Sequence, residues 1–159
     1  MSKLDLTMLP PWEQLFKRVL WAQLGDLRGK RILDFGSGIG VTACHYAAEN
    51  EVIAVEPSAE SVAKRWDEHP CRQIIGSIEA LRQMEDGSFD VIFCHNVLEY
   101  VPDRAEVLKE FHRLLKPEGF RHYRRCFVDW KCRHSGVAEL WKRRGYFLAE
   151  PGGFCALQL

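Results

Sequence analysis

Two carboxylates bracket a glycine-rich turn in this chain. Asp34 stands two residues before Gly36 in the run Asp34-Phe35-Gly36-Ser37-Gly38-Ile39-Gly40, and Glu56 follows Gly38 by eighteen residues. Glycines at alternate positions let the backbone turn tightly and let a ligand approach it closely. The N–H groups at the start of the helix beyond form a polar receptor. Neighbouring residues narrow what can be received. A dinucleotide fingerprint has a third glycine where this chain has Val41. No Gly-Lys-Ser/Thr follows, which excludes a Walker loop. A carboxylate at Asp34 repels a pyrophosphate and suits an ammonium group. Glu56, at a strand end, can accept both hydroxyls of an adenosine ribose. Plainer readings stand beside these: Asp34 as a turn cap and Glu56 as a solvated strand end.

The elements that must position these groups follow from hydrophobic pattern. Pro10-Pro11 start a helix that carries Trp12, Leu15, Phe16, Val19 and Leu20 at helical spacing and ends at Leu24-Gly25. It reads as an amphipathic helix packed on a sheet; the alternative is a flap over a pocket, with Trp12 or Trp21 touching a ligand. Residues 31–35 and 52–56 are apolar and suit interior strands, with a helix over about 40–49 between them. Ser58 can cap a helix over about 59–68 that turns Val62, Ala63 and Trp66 inward. A short strand over 73–75 leads to a loop, Gly76-Ser77-Ile78-Glu79, a helical turn from Leu81 to Met84, and a turn at Asp86-Gly87. A fourth strand covers 89–94, and His95 to Val101 is the loop beyond it. Asp103 and Glu106 then mark a helix with an inner stripe of Val107, Leu108, Phe111, Leu114 and Leu115. Strands alternating with short helices imply βαβ crossovers and a doubly wound, mostly parallel α/β sheet of Rossmann-like type. Ligands of such sheets bind beyond the C-terminal strand ends. Gly36–Gly40, Glu56, Ser77–Glu79 and His95–Tyr100 are the four loops at that edge.

At 159 residues, 47% hydrophobic and 28% charged, the chain has the composition of one soluble domain. Its net charge is zero but uneven: residues 1–120 hold 14 Lys+Arg and 19 Asp+Glu, residues 121–159 hold 8 and 3. No apolar run approaches the ~20 residues of a membrane span, and Met1 to Pro11 lacks a signal core, so a cytoplasmic protein without membrane contact is expected. The six cysteines show no C-x-x-C pair and read as free thiols. Cys126 and Cys132 lie near His122 and His134, in a spacing that fits no common zinc pattern, and no metal is expected.

A nucleoside with positive charge and no phosphate describes S-adenosyl-L-methionine. The motifs agree. Asp34 to Gly40, Val55-Glu56-Pro57-Ser58, Phe89-Asp90-Val91-Ile92, Asn96-Val97-Leu98-Glu99-Tyr100-Val101 and Leu114-Leu115-Lys116-Pro117-Glu118-Gly119 resemble those of class I S-adenosylmethionine-dependent methyltransferases. Over about residues 12–119 the chain is similar to the branch that holds ubiquinone-biosynthesis and small-molecule enzymes. A tRNA wobble-uridine carboxymethyl methyltransferase has a similar loop. The resemblance implies the product S-adenosyl-L-homocysteine and roles by position. Gly36, Ser37, Gly38 and Gly40 form the loop that lines the methionine, with Asp34 near its amino group. Glu56 holds the ribose, with Pro57 and Ser58 beside the adenine. Ser77, Ile78 and Glu79 flank the adenine, where relatives often have an acidic residue in place of Ser77. His95 and Asn96 border the sulfonium. His95 is the one nearby group with a suitable unperturbed pKa for a general base. Plainer readings make Ser77 and His95 ordinary loop residues, and make Glu99 and Tyr100 structural.

Beyond Gly119 the chain departs from that pattern. Phe120 to Cys126 carries charges unsuited to a central strand. Val137, Leu140 and Trp141 suit a short helix, and 146–149 with 154–157 flank a Pro-Gly-Gly turn as a terminal hairpin. The rival reading is a replaced end of a truncated chain. Residues 1–120 form the cofactor-binding core and 121–159 an atypical basic segment. Three functions follow: a methyltransferase acting on a small-molecule or tRNA-base acceptor; a non-catalytic cofactor-binding remnant; and a nucleic-acid modifier whose Arg121–Arg133 touches phosphates. The sequence leaves the oligomeric state open.

Overall fold

A computed structural model describes residues 6–66, 69–98, 100–117, 125–128 and 156–157. After a 3-10 turn (Leu6–Met8) come α1 (Pro11–Leu24), β1 (Arg31–Phe35), α2 (Val41–Ala47), β2 (Glu51–Glu56), α3 (Ala59–Ala63) and β3 (Arg72–Ile75). Then follow α4 (Ile78–Arg82), β4 (Val91–Cys94), α5 (Arg104–Leu114), β5 (Arg125–Val128) and β6 (Ala156–Leu157). The sheet order is β3-β2-β1-β4-β5-β6, with β6 alone antiparallel. The expected doubly wound α/β fold is present, and the order reverses next to β1, where the glycine turn begins.

Interior strands are apolar on both faces because both faces are covered. Leu33, Phe35, Ile53, Val55 and Ile92 pack with Val107, Phe111 and Leu114 of α5. On the opposite face Ile32, Val52, Ala54, Val91 and Phe93 pack with Leu20 and Leu24 of α1 and with Ala43 and Tyr46 of α2. Asp90 ties the far edge: its carboxylate accepts from the Arg31 N–H at 2.8 Å and pairs with Lys116 at 2.9 Å. The expected cap of α5 is made, with Asp103 Oδ1 accepting from the Glu106 N–H at 3.0 Å. That exposed cap predicts a loss of about 1 kcal/mol for Asp103→Ala, read as a lowered denaturation midpoint with unchanged slope.

Several boundaries differ from the sequence reading. α3 stops at Ala63, which is exposed, and Val62 and Trp66 are half-buried. A long-range bond draws the chain away, since the Trp66 N–H donates to the Ile39 carbonyl in the glycine turn at 2.8 Å. Ile78 and Glu79 lie inside α4 rather than in a loop; the Glu79 carboxylate accepts from the Ser77 N–H at 2.9 Å. Phe89 precedes β4 and forms an isolated bridge with Leu115. The fifth strand lies at 125–128 and continues the parallel sheet beside β4, so it takes in Arg125 and Cys126, the end of the run judged unsuited to a central strand. Residues 156–157 pair with β5; the expected partner 146–149, the helix near 137–141 and the Cys132, His122, His134 and Glu99 side chains fall outside the described residues.

Candidate functional site

All four loops named from the sequence follow the C-terminal ends of β1, β2, β3 and β4. The glycine turn is fixed by backbone geometry. Gly36, Gly38 and Gly40 have φ of 77°, 57° and 77°, in the left-handed region that an L side chain disfavours. The Gly36 and Ser37 N–H groups both donate to the Val55 carbonyl, at 2.8 and 3.1 Å, which locks the turn to β2. Glu56, nearly buried, accepts from the Gly38 N–H (2.8 Å) and from the Ser58 N–H (3.0 Å). A carboxylate has about four lone-pair positions, so about two acceptor positions remain.

A cavity of about 170 Å³ opens beside the turn. Of the expected residues, Asp34, Gly36, Ser37, Gly38, His95 and Asn96 line it. Glu56, Pro57, Ser58 and Gly40 are not among the residues that line it. Ser77, Ile78 and Glu79 lie one strand further, beyond β3. The Ser58 hydroxyl is already used: it accepts from the Ser61 N–H at 3.1 Å and caps α3.

Three buried polar atoms on the lining residues have no partner: Asp34 Oδ2, Ser37 Oγ and His95 Nε2. Such atoms are costly unless something pairs with them. The Ala43 N–H near Asp34 favours its ionised form, yet Asp34 Oδ2 has no partner. Burial raises its pKa to about 6, against the lowering pull of Lys17 and of that N–H. His95 lies between aromatic rings, edge-on to Phe16 at 6.5 Å and stacked on Phe93 at 5.7 Å. Burial, helped by the Lys17 charge, pulls its pKa down to about 3. The imidazole is therefore neutral near pH 7, and far from the proton affinity that suits a general base there. Asn96 has a φ of 57°, the one non-glycine residue with positive φ among the described residues, held at the cavity wall.

Sequence reasoning missed one wall. Glu13, Phe16 and Lys17 of α1 line the cavity, with Trp12 at its rim, and so do Ile39, Val41 and Thr42. Lys17 Nζ donates to Thr42 Oγ1 at 2.8 Å, and desolvation lowers its pKa. The preferred reading of α1 as a packing helix holds, since Leu20 and Leu24 enter the core; Trp12 and Phe16 also line the cavity. Trp21 does not line it; its ring stacks on His45 at 3.7 Å. The available signal was a lysine three residues before Leu20, at the border of the apolar face.

Gly38 faces open space, with nothing within 4 Å of the position that an alanine methyl would take. Gly38→Ala is therefore expected to cost only its backbone strain, about 1–2 kcal/mol by thermal denaturation. Its effect on ligand affinity should exceed that, because the methyl projects where a ligand would meet the turn.

A glycine turn after β1, a carboxylate closing β2 and a crevice at the strand-order reversal belong to an α/β protein of Rossmann-like architecture. A sequence profile described as "Methyltransferase domain" matches residues 33–121, more than half of the chain. Ubiquinone biosynthesis O-methyltransferase from Xanthomonas oryzae pv. oryzae is 34% identical over 100 residues, which cover 59% of this chain and 42% of the relative. Arsenite methyltransferase from Aquipseudomonas alcaligenes is 37% identical over 119 residues, covering 65% of this chain and 34% of the relative. The chain thus spans less than half the length of these curated relatives. A SAM-dependent methyltransferase structure from Aquifex aeolicus superposes with a TM-score of 0.68 at 18% identity over the full length of both chains, a likeness of fold. The chain belongs to the methyltransferase domain family, with the class I fold. Among the described residues no helix is long and apolar enough to cross a membrane.

Proposed function

We propose that this chain transfers the methyl group of S-adenosylmethionine to a small-molecule acceptor. The observation that carries the reading is the partnerless Asp34 Oδ2, a buried carboxylate oxygen in the cavity beside the glycine turn. Its chemistry fits the ammonium of a methionine moiety. Ser37 Oγ and His95 Nε2 fit as further polar partners, and Lys17 fits the opposite charge, a carboxylate. A cavity of about 170 Å³ takes an amino-acid-sized group. The nucleoside part then falls to Glu56, through its remaining acceptor positions, and to the loops at Pro57-Ser58 and Ser77–Glu79. When bound, the cofactor supplies a methyl carbon activated by positive sulfur. The protein's share is to align the acceptor and keep water out. Phe16 and Trp12 give the apolar wall for that.

His95 serves this reading as a neutral hydrogen-bonding wall rather than as a base. Asp34 must be ionised to hold an ammonium, and its pKa stands at about 6. Affinity for S-adenosylmethionine should thus fall about tenfold per pH unit below 6 and level off above 7. Titration calorimetry from pH 5 to 8 checks this; a flat profile would count against Asp34 as the ammonium's partner. Calorimetry with S-adenosylhomocysteine and with Glu56→Gln tests the ribose contact, for which a loss of about tenfold or more is expected. Turnover against arsenite, a simple thiol and a catechol then ranks the acceptor classes. Binding of both cofactor forms without turnover of any acceptor would favour a non-catalytic protein.

A further inference from the structure

Among the described residues, the charged side chains that line the cavity are Glu13, Lys17 and Asp34. In the binding mode proposed above, Asp34 meets the ammonium of the methionine moiety and Lys17 its carboxylate, which leaves Glu13 over. Glu13 is half-buried in the first turn of α1. Lys17 feels its charge, yet the Glu13 carboxylate makes no hydrogen bond or ion pair among the described residues. A first-turn carboxylate suits the helix dipole wherever it stands; this one is also part of a cavity wall.

Depth orders that wall. Asp34 is 3% exposed, whereas Trp12, beside Glu13, is 68% exposed. Lys17 lies four residues along α1 from Glu13, about 6 Å, and its Nζ bonds Thr42 Oγ1 of α2. Trp12 and Glu13 are thus at the mouth, where an acceptor enters, and the methionine charges are met further in.

Charge then discriminates between acceptors. With Lys17 and Asp34 matched by the methionine zwitterion, the lining keeps one negative charge and the cofactor one positive charge, on sulfur. A neutral amine leaves that balance intact. The amine nitrogen gives its lone pair to the methyl carbon as the carbon–sulfur bond breaks, and the electron pair of that bond stays on sulfur, leaving S-adenosylhomocysteine. Positive charge passes to nitrogen, with Glu13 as its counter-charge until a proton leaves to water. A thiolate would instead hold the site at one excess negative charge before and after transfer, at a cost that low dielectric magnifies. A hydroxyl needs a base poised near neutral pH. His95 is not one, since burial and the Lys17 charge draw it down to about 3.

We propose that Glu13, with Trp12 beside it, selects an amine as the methyl acceptor, an assignment that rests on the roles given above to Asp34 and Lys17. Carboxylate and indole together attract the amine to the mouth in its ammonium form; it gives up a proton to water before attack.

The test uses three probes of one shape, benzylamine, benzyl alcohol and benzyl mercaptan, on the full chain loaded with S-adenosylhomocysteine. By titration calorimetry, benzylamine should bind about tenfold more tightly than the other two, and Glu13→Gln should abolish that preference. Glu13→Asp, which keeps the charge, should retain most of it, and Trp12→Leu should weaken benzylamine about threefold. With S-adenosylmethionine, the ratio of amine to thiol methylation, read by mass spectrometry, should fall about tenfold in Glu13→Gln. Equal binding of the three probes to the wild type, or an amine preference that survives in Glu13→Gln, overturns the proposal. A loss of S-adenosylhomocysteine affinity in Glu13→Gln as large as the loss for benzylamine overturns it too, by placing Glu13 at the cofactor. Wild type that binds S-adenosylhomocysteine but prefers the thiol or the alcohol defeats the acceptor class alone. Wild type that binds no S-adenosylhomocysteine defeats the roles of Asp34 and Lys17, and the acceptor class with them.

Discussion

Asp34→Asn is expected to separate stability from ligand binding. The Asp34 side chain is 3% exposed, and burial raises its folded-state pKa from 3.8 to about 6. Because the native chain holds that proton more tightly than the unfolded chain, the group favours folding most below about pH 4. Its contribution is lost as pH rises to about 6. A rise of that size corresponds to at most about 3 kcal/mol. Asn is isosteric yet carries no charge to desolvate. Lys17 loses a counter-charge in the exchange, which offsets part of the gain. The net expectation at pH 7.5 is a variant at least as stable as wild type, by about 1 kcal/mol. Its thermal midpoint should also be flatter between pH 4 and 7, and scanning calorimetry at several pH values reads both effects. On the role proposed for Asp34, affinity for S-adenosylmethionine falls about a hundredfold, near 2.7 kcal/mol, because an amide cannot pair with an ammonium as a carboxylate does. A variant that is more stable and still binds normally would remove Asp34 from the ligand's contacts.

The half of the site that comes from strand ends was legible because residue type and spacing are enough to find it. Asp34, the three glycines and Glu56 sit where any doubly wound sheet presents its ligand edge, and α5 announces itself through Asp103 and Glu106. The other half depends on long-range packing. Periodicity identifies Leu20 and Leu24 as inward-facing but does not say which strand α1 lies on, so Lys17 and Phe16 could not be brought to the cavity. The pKa of His95 depends on its burial and on Lys17 too, which is why its unperturbed value suggested a base. α3 ends early because Trp66 bonds a carbonyl in another loop, and no local signal encodes that. β5 was obscured by the charged residues just before it: Cys126, Phe127 and Val128 make a short apolar run that gains its identity from pairing with β4.

Gly36→Ala should be among the most damaging small substitutions in the chain, and for a reason unlike that of Gly38. A methyl at Gly36 would lie 2.1 Å from Val97 Cγ2, 2.9 Å from Cγ1 and 3.0 Å from Cβ. Rotating Val97 cannot clear all three contacts, so a loop must move. The φ of 77° adds strain of about 1–2 kcal/mol. Overpacking adds about 1–3 kcal/mol, for a total of about 2–5 kcal/mol and a drop in Tm of about 10 °C. The two loops in collision are the glycine turn after β1 and the Asn96-Val97 turn after β4, which form facing parts of the cavity. Their contact ties Asp34 and Ser37 on one side to His95 and Asn96 on the other. Val97→Ala alone removes part of a side chain packed against the core and should cost about 1 kcal/mol. Combined with Gly36→Ala it should recover about 1–2 kcal/mol, leaving the backbone strain, so the double-mutant cycle gives a favourable coupling. Additive losses in that cycle would mean that the two loops move independently, and that a ligand, rather than Val97, brings the two walls of the site together.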